Sequence, residues 1–235
     1  MKKFSTGITP LDAQLGGGFP SGSVILLLEE PGAGADVFSF HFAVAGLRNN
    51  EKTLYISTND TREQIIENIK LYFSINPEGM EIVDLVTTRL MQQQTDASDV
   101  RSFLKQIRHD PLKHVKTILK GGNHDRLILN SLSYFVLNYS PDDVVDLISD
   151  VSLVVKKNDS VALLLMTKGI ADEKLENTMK FIADGIIEMS INESGNEIQR
   201  LLKILKLKRV LVPKSILRYD LTDKGIRMES VMRVL

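Results

Sequence analysis

The 235-residue sequence contains no cysteine, which excludes disulfide bridges, thiolate catalysis and cysteine-ligated metals. Its histidines, His41, His109, His114 and His124, show no ligand spacing, and Pro111 separates the middle pair, so no metal site is expected. An excess of one charge is also missing. The 29 Lys and Arg against 30 Asp and Glu leave a net charge of −1, which argues against bulk attraction to nucleic acid or anionic membrane. Tyrosine and phenylalanine are scattered, without the interleaved basic residues of a single-strand binding groove. No apolar run approaches a membrane span, and Met1-Lys2-Lys3-Phe4 has no apolar core behind its lysines, so neither anchor nor signal peptide is expected. The expectation is a cytoplasmic protein that contacts neither membrane nor nucleic acid.

What is present is ordinary in bulk and specific in detail. Hydrophobic residues make up 43% and charged residues 25%, enough for a buried core at this length. No repeat or low-complexity segment interrupts the chain, so residues 1–235 read as a single domain. Residues 1–23 read as loop-rich, because Gly16, Gly17, Gly18, Pro20 and Gly22 demand special backbone angles in place of regular structure. Ser23–Leu28 is apolar after its serine, as a strand covered on both faces should be. A helix is expected from Asp36 to Asn49, with Phe38, Phe42 and Ala45 on one face.

Further strands are expected at Thr53–Ser57, Glu81–Thr87, Arg126–Asn130 and Ser160–Thr167, and after the turn at Ile182–Gly185. Helices are expected from Asn59 to Phe73, at Asp99–His109 and Pro111–Lys120, and from Ser140 onward. Arg200–Arg209 and Leu217–Arg227 alternate as late antiparallel strands about Pro213. This order predicts an α/β fold, a mainly parallel twisted sheet with helices on both faces and antiparallel strands at the C-terminus.

Between the first strand and the first long helix lies Glu29-Glu30-Pro31-Gly32-Ala33-Gly34-Ala35-Asp36. A strand, a tight Gly-rich turn and a helix form the layout of a phosphate-binding loop, G-x-x-x-x-G-K-[ST]. In that register Glu29 replaces the first Gly, Gly34 is kept, Ala35 replaces the Lys and Asp36 the Ser/Thr.

Several stretches together resemble the KaiC/RadA branch of the RecA superfamily. Thr6-Gly7-Ile8-x-x-Leu11-Asp12 with Leu15-Gly16-Gly17-Gly18-x-Pro20-x-Gly22 is similar to that branch's lead-in, and Glu30–Gly34 to its E-P-G-x-G loop core. Asn130-Ser131-Leu132 resembles the D-S-L ending of the second nucleotide motif, and Ala183-Asp184-Gly185-Ile186-Ile187 the A-D-G-[VI]-I turn. Lys206-Leu207-Lys208 and Thr222-Asp223-Lys224-Gly225-Ile226 resemble the K-M-R segment and the late T-x-x-G-I strand. The resemblance implies a RecA-like ATPase core in rings or filaments, with nucleotide between neighbouring subunits. It also implies that residues Glu30, Pro31, Gly32, Ala33, Gly34, Ala35 and Asp36 form the cofactor-binding loop.

The residues at the chemical positions point away from that activity. Phosphoryl transfer needs positive charge against the phosphates, yet Ala35 and Asp36 sit there beside Glu29 and Glu30. Asn130 occupies the place of the family's metal-associated Asp, and Asn59-Asp60 that of its Glu-Glu pair, where Asn59 cannot act as a base. Asp60-x-x-Glu63 predicts Asp60 as a helix N-cap, with a residual base as the alternative. Gly32 and Gly34 read as keepers of a tight turn, with an anion nest as the alternative.

Lys168 reads as a solvated turn lysine, or else a replacement for the lost loop lysine. Lys206 and Lys208 either pair with a neighbouring copy's acidic loop or form a solvated strand face. The expectation is therefore a catalytically degenerate, regulatory or assembly component, with no cofactor or metal, acting with protein partners and as a homo-oligomer. The alternatives are an ATPase that binds ATP through Gly32, Gly34, Lys168 and a neighbour's Lys206, and a DNA-binding paralogue using Lys203, Lys206, Lys208, Arg209, Lys214 and Arg218.

Overall fold

The computed structural model describes residues 1–87, 110–195, 197–212 and 216–229. The helix expected at Asp99–His109, Pro213 and Lys214 lie outside the described residues.

A nine-stranded sheet carries the fold. Its centre is β3 (Ser23–Glu29), with β7 (Val161–Thr167) on one side and β8 (Gly185–Ser194) on the other, both parallel to it. Beyond β7 lie β6 (Arg126–Asn130), β4 (Thr53–Ser57) and β5 (Glu81–Asp84), all parallel. On the other side β9 (Glu197–Leu207), β10 (Leu217–Thr222) and β11 (Gly225–Met228) continue as an antiparallel meander. The expected class and the late antiparallel strands are both present.

Side-chain alternation along the central strands builds a core on each face. Ile25 and Leu27 of β3 and Leu163 and Leu165 of β7 join α2 (Ala35–Arg48) and α3 (Arg62–Phe73) in one cluster. Val24, Leu26, Leu28, Leu164 and Met166 point oppositely, toward α4 (Pro111–Gly121), α5 (Ser133–Asn138), α6 (Pro141–Lys157) and α7 (Glu173–Ile182).

Two expectations need correction. Residues 1–23 are not all loop, because α1 (Thr9–Leu15) forms with Pro10 in its first turn and Leu11 and Leu15 buried. A two-stranded sheet of β1 (Lys3–Phe4) and β2 (Phe19–Pro20) flanks it. The strand expected at Glu81–Thr87 ends at Asp84, whose carboxylate accepts the Thr87 N–H at 2.7 Å as residues 85–87 turn helical. In α2, Phe38, Phe42 and Ala45 are buried, and so are Ser39, Phe40 and His41. The lead-in and the C-terminal strands cover the side of α2 that faces away from the sheet: Ile226 N–H bonds His41 Nε2 at 2.8 Å, and a Cβ on Gly7 would overlap the His41 carbonyl.

The lead-in is held by Asp12, which accepts from Thr6 N–H and Thr6 Oγ1 at 2.7 Å each and from Ser5 Oγ at 2.5 Å. Arg126 at the start of β6 then ties this segment to α2. Its fully buried guanidinium donates to Glu51 Oε2 at 2.6 Å, to the Ser5 carbonyl at 2.7 Å and to the Phe42 carbonyl at 2.9 Å, and it lies over the Phe42 ring.

Candidate functional site

The site lies where β3 hands over to α2, at the carboxyl edge of the parallel strands. Gly32 and Gly34 take φ of +88° and +92°, left-handed values that suit glycine. Ala33 N–H closes the turn onto the Glu30 carbonyl at 3.0 Å. A Cβ on Gly34 would come within 2.8 Å of the Leu221 side chain, so β10 packs directly on the loop.

A helix N-terminus presents N–H groups that lack intrahelical partners. Here the Glu29 side chain folds back into the loop, where Ala35 N–H donates to Glu29 Oε2 at 3.0 Å. Burial raises the pKa of Glu29, the Ala35 amide opposes that rise, the nearby Asp36 adds to it, and the Gly34 amide again lowers it. Glu30 points the other way, accepting Ile191 N–H from β8 at 2.9 Å. The loop carbonyls are held as well, Ala33 by Tyr219 Oη at 2.6 Å and Gly32 by Arg200 Nε at 3.2 Å.

Behind the loop runs a polar chain whose proton order is fully determined. Asn130 Nδ2, at the end of β6, donates one hydrogen to Asp36 Oδ1 at 2.8 Å and the other to Tyr55 Oη at 3.0 Å. Ser39 Oγ donates to the Asp36 carbonyl at 2.7 Å, so the 2.8 Å contact between Ser39 and Tyr55 has Tyr55 as donor. Burial drives the Tyr55 phenol far above its ordinary pKa, so it stays protonated as that chain requires. Ser39, Tyr55, Arg200 and Tyr219 were not singled out from the sequence, where nothing ties them to the loop.

The other anticipated residues fall into three places. Asn59 is exposed and its Oδ1 accepts from Thr58 Oγ1 at 3.1 Å. Asp60 is not the cap of α3. Its N–H is held by Ser57 Oγ at 2.9 Å, which leaves Thr61 extended as the N-cap in a capping box with Gln64. Burial and then the charge of Asp36 raise the pKa of the Asp60 carboxyl.

Lys168 N–H bonds the Glu29 carbonyl at 2.8 Å, but its ammonium runs to Glu188 at 3.8 Å. Glu188 lies between Ile187 and Met189, which face α2, so Lys168 extends on the opposite face from the loop. Lys206 and Lys208 sit at the far edge, where Lys206 pairs with Ile186 at the start of β8. Lys208 is exposed, as on a solvated face, while Lys206 is partly buried. Lys206 Nζ donates to the carbonyls of Lys180, Phe181 and Ala183 at 3.0, 3.2 and 2.6 Å, capping the C-terminus of α7. Lys208, just past β9, pairs with Asp184 at 2.8 Å. Burial and then Lys208 lower the Lys206 pKa, against Asp184.

No group of three or more His, Asp or Glu among the described residues is placed to hold a metal ion. No helix among them is long and apolar enough to cross a membrane.

A parallel sheet whose central strand ends in a glycine turn feeding a buried helix, with Asn130 beside it on a strand two places away, is the RecA-like P-loop class. The family model "ATPase: KaiC" matches residues 4–231, and the chain belongs to that family. A UPF0273 protein of Pyrococcus horikoshii is 24% identical over 238 residues, covering 96% of this chain and 93% of that protein. The circadian clock oscillator protein KaiC of Prochlorococcus marinus is 23% identical over 229 residues, 95% of this chain and 43% of that protein. In shape, the crystal structure of a KaiC-like protein from P. horikoshii superposes with a TM-score of 0.75 at 18% identity, covering 97% of this chain and 99% of that one.

Proposed function

We propose that residues 1–235 act as one KaiC-like domain that has given up ATP hydrolysis and serves as a regulatory or assembly component, with a role in signal transduction. The observation that carries this reading is the 2.8 Å hydrogen bond from Asn130 to Asp36. In the P-loop pattern a Ser/Thr hydroxyl and a metal-associated carboxylate at these two places share a Mg²⁺ ion. Here an amide meets a carboxylate directly, and the pair satisfies itself without a cation.

The residues present do not fit Mg²⁺-ATP. The Ala35 amide is taken by Glu29, no lysine follows Gly34, and Asp36 and Asp60 add negative charge where phosphates would lie. Like charges at such range repel by about 1 kcal/mol in water and several kcal/mol when partly buried. No cofactor is assigned on this reading. The domain works in the cytoplasm with protein partners, including copies of itself in a ring or filament, and not with nucleic acid.

Calorimetry with Mg²⁺-ATP tests the reading on the wild type beside Glu29→Gly/Ala35→Lys/Asp36→Thr, in which the side chain that fills the loop is also removed. No heat from the wild type at millimolar ATP, with binding by the restored loop, is the expected result. Micromolar affinity with turnover in the wild type refutes it. That second outcome is favoured by one observation, the retained left-handed Gly32 and Gly34.

A further inference from the structure

The loop's own polar atoms carry a second step, which rests on the pseudo-ATPase reading and concerns the regulation of the same site. Of the donors that a phosphate would organise, the Ala35 amide ends on the Glu29 carboxylate at 3.0 Å, and the Gly34 amide lies near enough to lower that carboxylate's pKa. On the outer side, Gly32 and Ala33 carbonyls are fastened by Arg200 and Tyr219, and Glu30 by the Ile191 amide. Position 29 is where the loop pattern has its first glycine. A residue with a side chain there is aimed across the turn, and glutamate is long enough to return to the amides six residues on.

We infer that Glu29 is a built-in substitute for a nucleotide phosphate, an in-chain anion that holds the loop in its ligand-loaded shape and closes it to outside phosphates. Two consequences separate this from a glutamate that merely lies nearby. The wild-type loop stays formed with no ligand, and removing the carboxylate opens a nest that a free oxyanion can fill. The loss is confined to the side chain, because the Glu29 backbone remains paired with Thr167 and Met189 in the sheet.

The probe is inorganic phosphate, with chloride at matched ionic strength as the reference, read as thermal unfolding of the wild type and Glu29→Ala. The expected result is a lower Tm for Glu29→Ala that phosphate raises saturably, by roughly 2–4 °C or more near tenfold the Kd, with no shift in the wild type. Equal stabilisation of both proteins overturns the inference, since the nest would then be open beside Glu29. So does the absence of phosphate stabilisation in Glu29→Ala.

If Glu29→Ala does not fold, amide spectra of the wild type and Glu29→Gln decide the matter. The Gly34 and Ala35 N–H signals are expected to shift with acid titration in the wild type, and that shift to collapse in Glu29→Gln. A shift that survives in Glu29→Gln belongs to the neighbouring Asp36 and refutes the assignment. These outcomes are independent of wild-type ATP binding, which bears on the pseudo-ATPase reading alone.

Discussion

Replacing Asn130 by Asp tests whether the amide–carboxylate pair has taken over the role of a metal. Asn130 is 2% exposed and gives both its hydrogens away, to Asp36 at 2.8 Å and Tyr55 at 3.0 Å. Asn130→Asp deletes a hydrogen bond to a charged acceptor, a contribution of about 1.5–3 kcal/mol. It also sets a second carboxylate against the first. At 2.8 Å and an effective dielectric of about 20, the repulsion is on the order of 6 kcal/mol.

The protein has a cheaper escape, which is to hold one proton between the two groups. Keeping a carboxylate of ordinary pKa protonated at neutral pH costs about 4 kcal/mol, and this caps the penalty. Asp36 reaches solvent, so screening reduces the penalty further, to about 2–3 kcal/mol at pH 7. Tyr55 can turn its hydroxyl toward the new carboxylate and recover one bond, which lowers the cost again but leaves its pH dependence. Urea unfolding of wild type and Asn130→Asp across pH 4–8 reads this directly. The stability gap should be widest above pH 7 and shrink toward pH 4, where the shared proton is supplied by solvent. A gap that does not change with pH, or no gap at all, refutes the pairing argument.

Three other perturbations follow from the core that supports the loop. His41 accepts the Ile226 amide on Nε2, and burial chiefly lowers its pKa from 6.5 to about 4, a shift that Arg48 deepens and the Gly7 backbone opposes. The unfolded chain therefore binds the proton first, so stability is lost as pH falls through 6.5 and the loss is complete below 4, at about 3 kcal/mol. His41→Gln, which keeps an acceptor, should flatten that slope in urea titrations, and an unchanged slope excludes His41 as its source. Glu51→Gln strips the buried Arg126 guanidinium of its carboxylate and should cost about 3–5 kcal/mol by chemical denaturation; a cost below 1 kcal/mol (roughly one exposed pair) shows that the carbonyls suffice. Gly34→Ala meets both a φ of +92° and the Leu221 side chain at 2.8 Å, so a loss of about 1–3 kcal/mol is expected. Adding Leu221→Ala relieves the overlap but not the backbone strain, so Gly34→Ala should still destabilise in that background.

The fold was legible because its strongest signals are local. A strand covered on both faces must be apolar throughout, and Val24–Leu28 is; a helix start needs a cap and a compatible first residue, and Ser140-Pro141 supplies both. Ambiguity entered where two local patterns overlap. Asp60-x-x-Glu63 and Thr61-x-x-Gln64 both satisfy a capping box, and the choice falls to Ser57, which bonds the Asp60 amide and moves the helix start one residue on. Arg126 was missed for a related reason. An arginine at a strand edge normally extends to water, and only Glu51, the Ser5 carbonyl and the Phe42 ring, brought together by the tertiary fold, make burial tolerable.

The candidate site was legible as a set of losses and not as a set of exchanges. Along the chain, Glu29, Ala35, Asp36 and Asn130 are separate departures from a phosphate-binding pattern. In space they combine, Glu29 with the Ala35 amide and Asp36 with Asn130, the latter across 94 positions. Each pairing answers a demand that the fold makes whether or not ATP is bound. Amides at a helix N-terminus require an acceptor, and so does the buried Asn130 amide at the end of its strand. A loop that lost only its lysine and hydroxyl would leave those amides without an anion. A loop that gained only Glu29 and Asp36 would leave Asp36 facing a carboxylate at position 130. Asp36 and Asn130 are therefore coupled, so Asp36→Thr or Asn130→Asp alone should each be less stable than the wild type, and the double reversion less destabilised than the sum of the two.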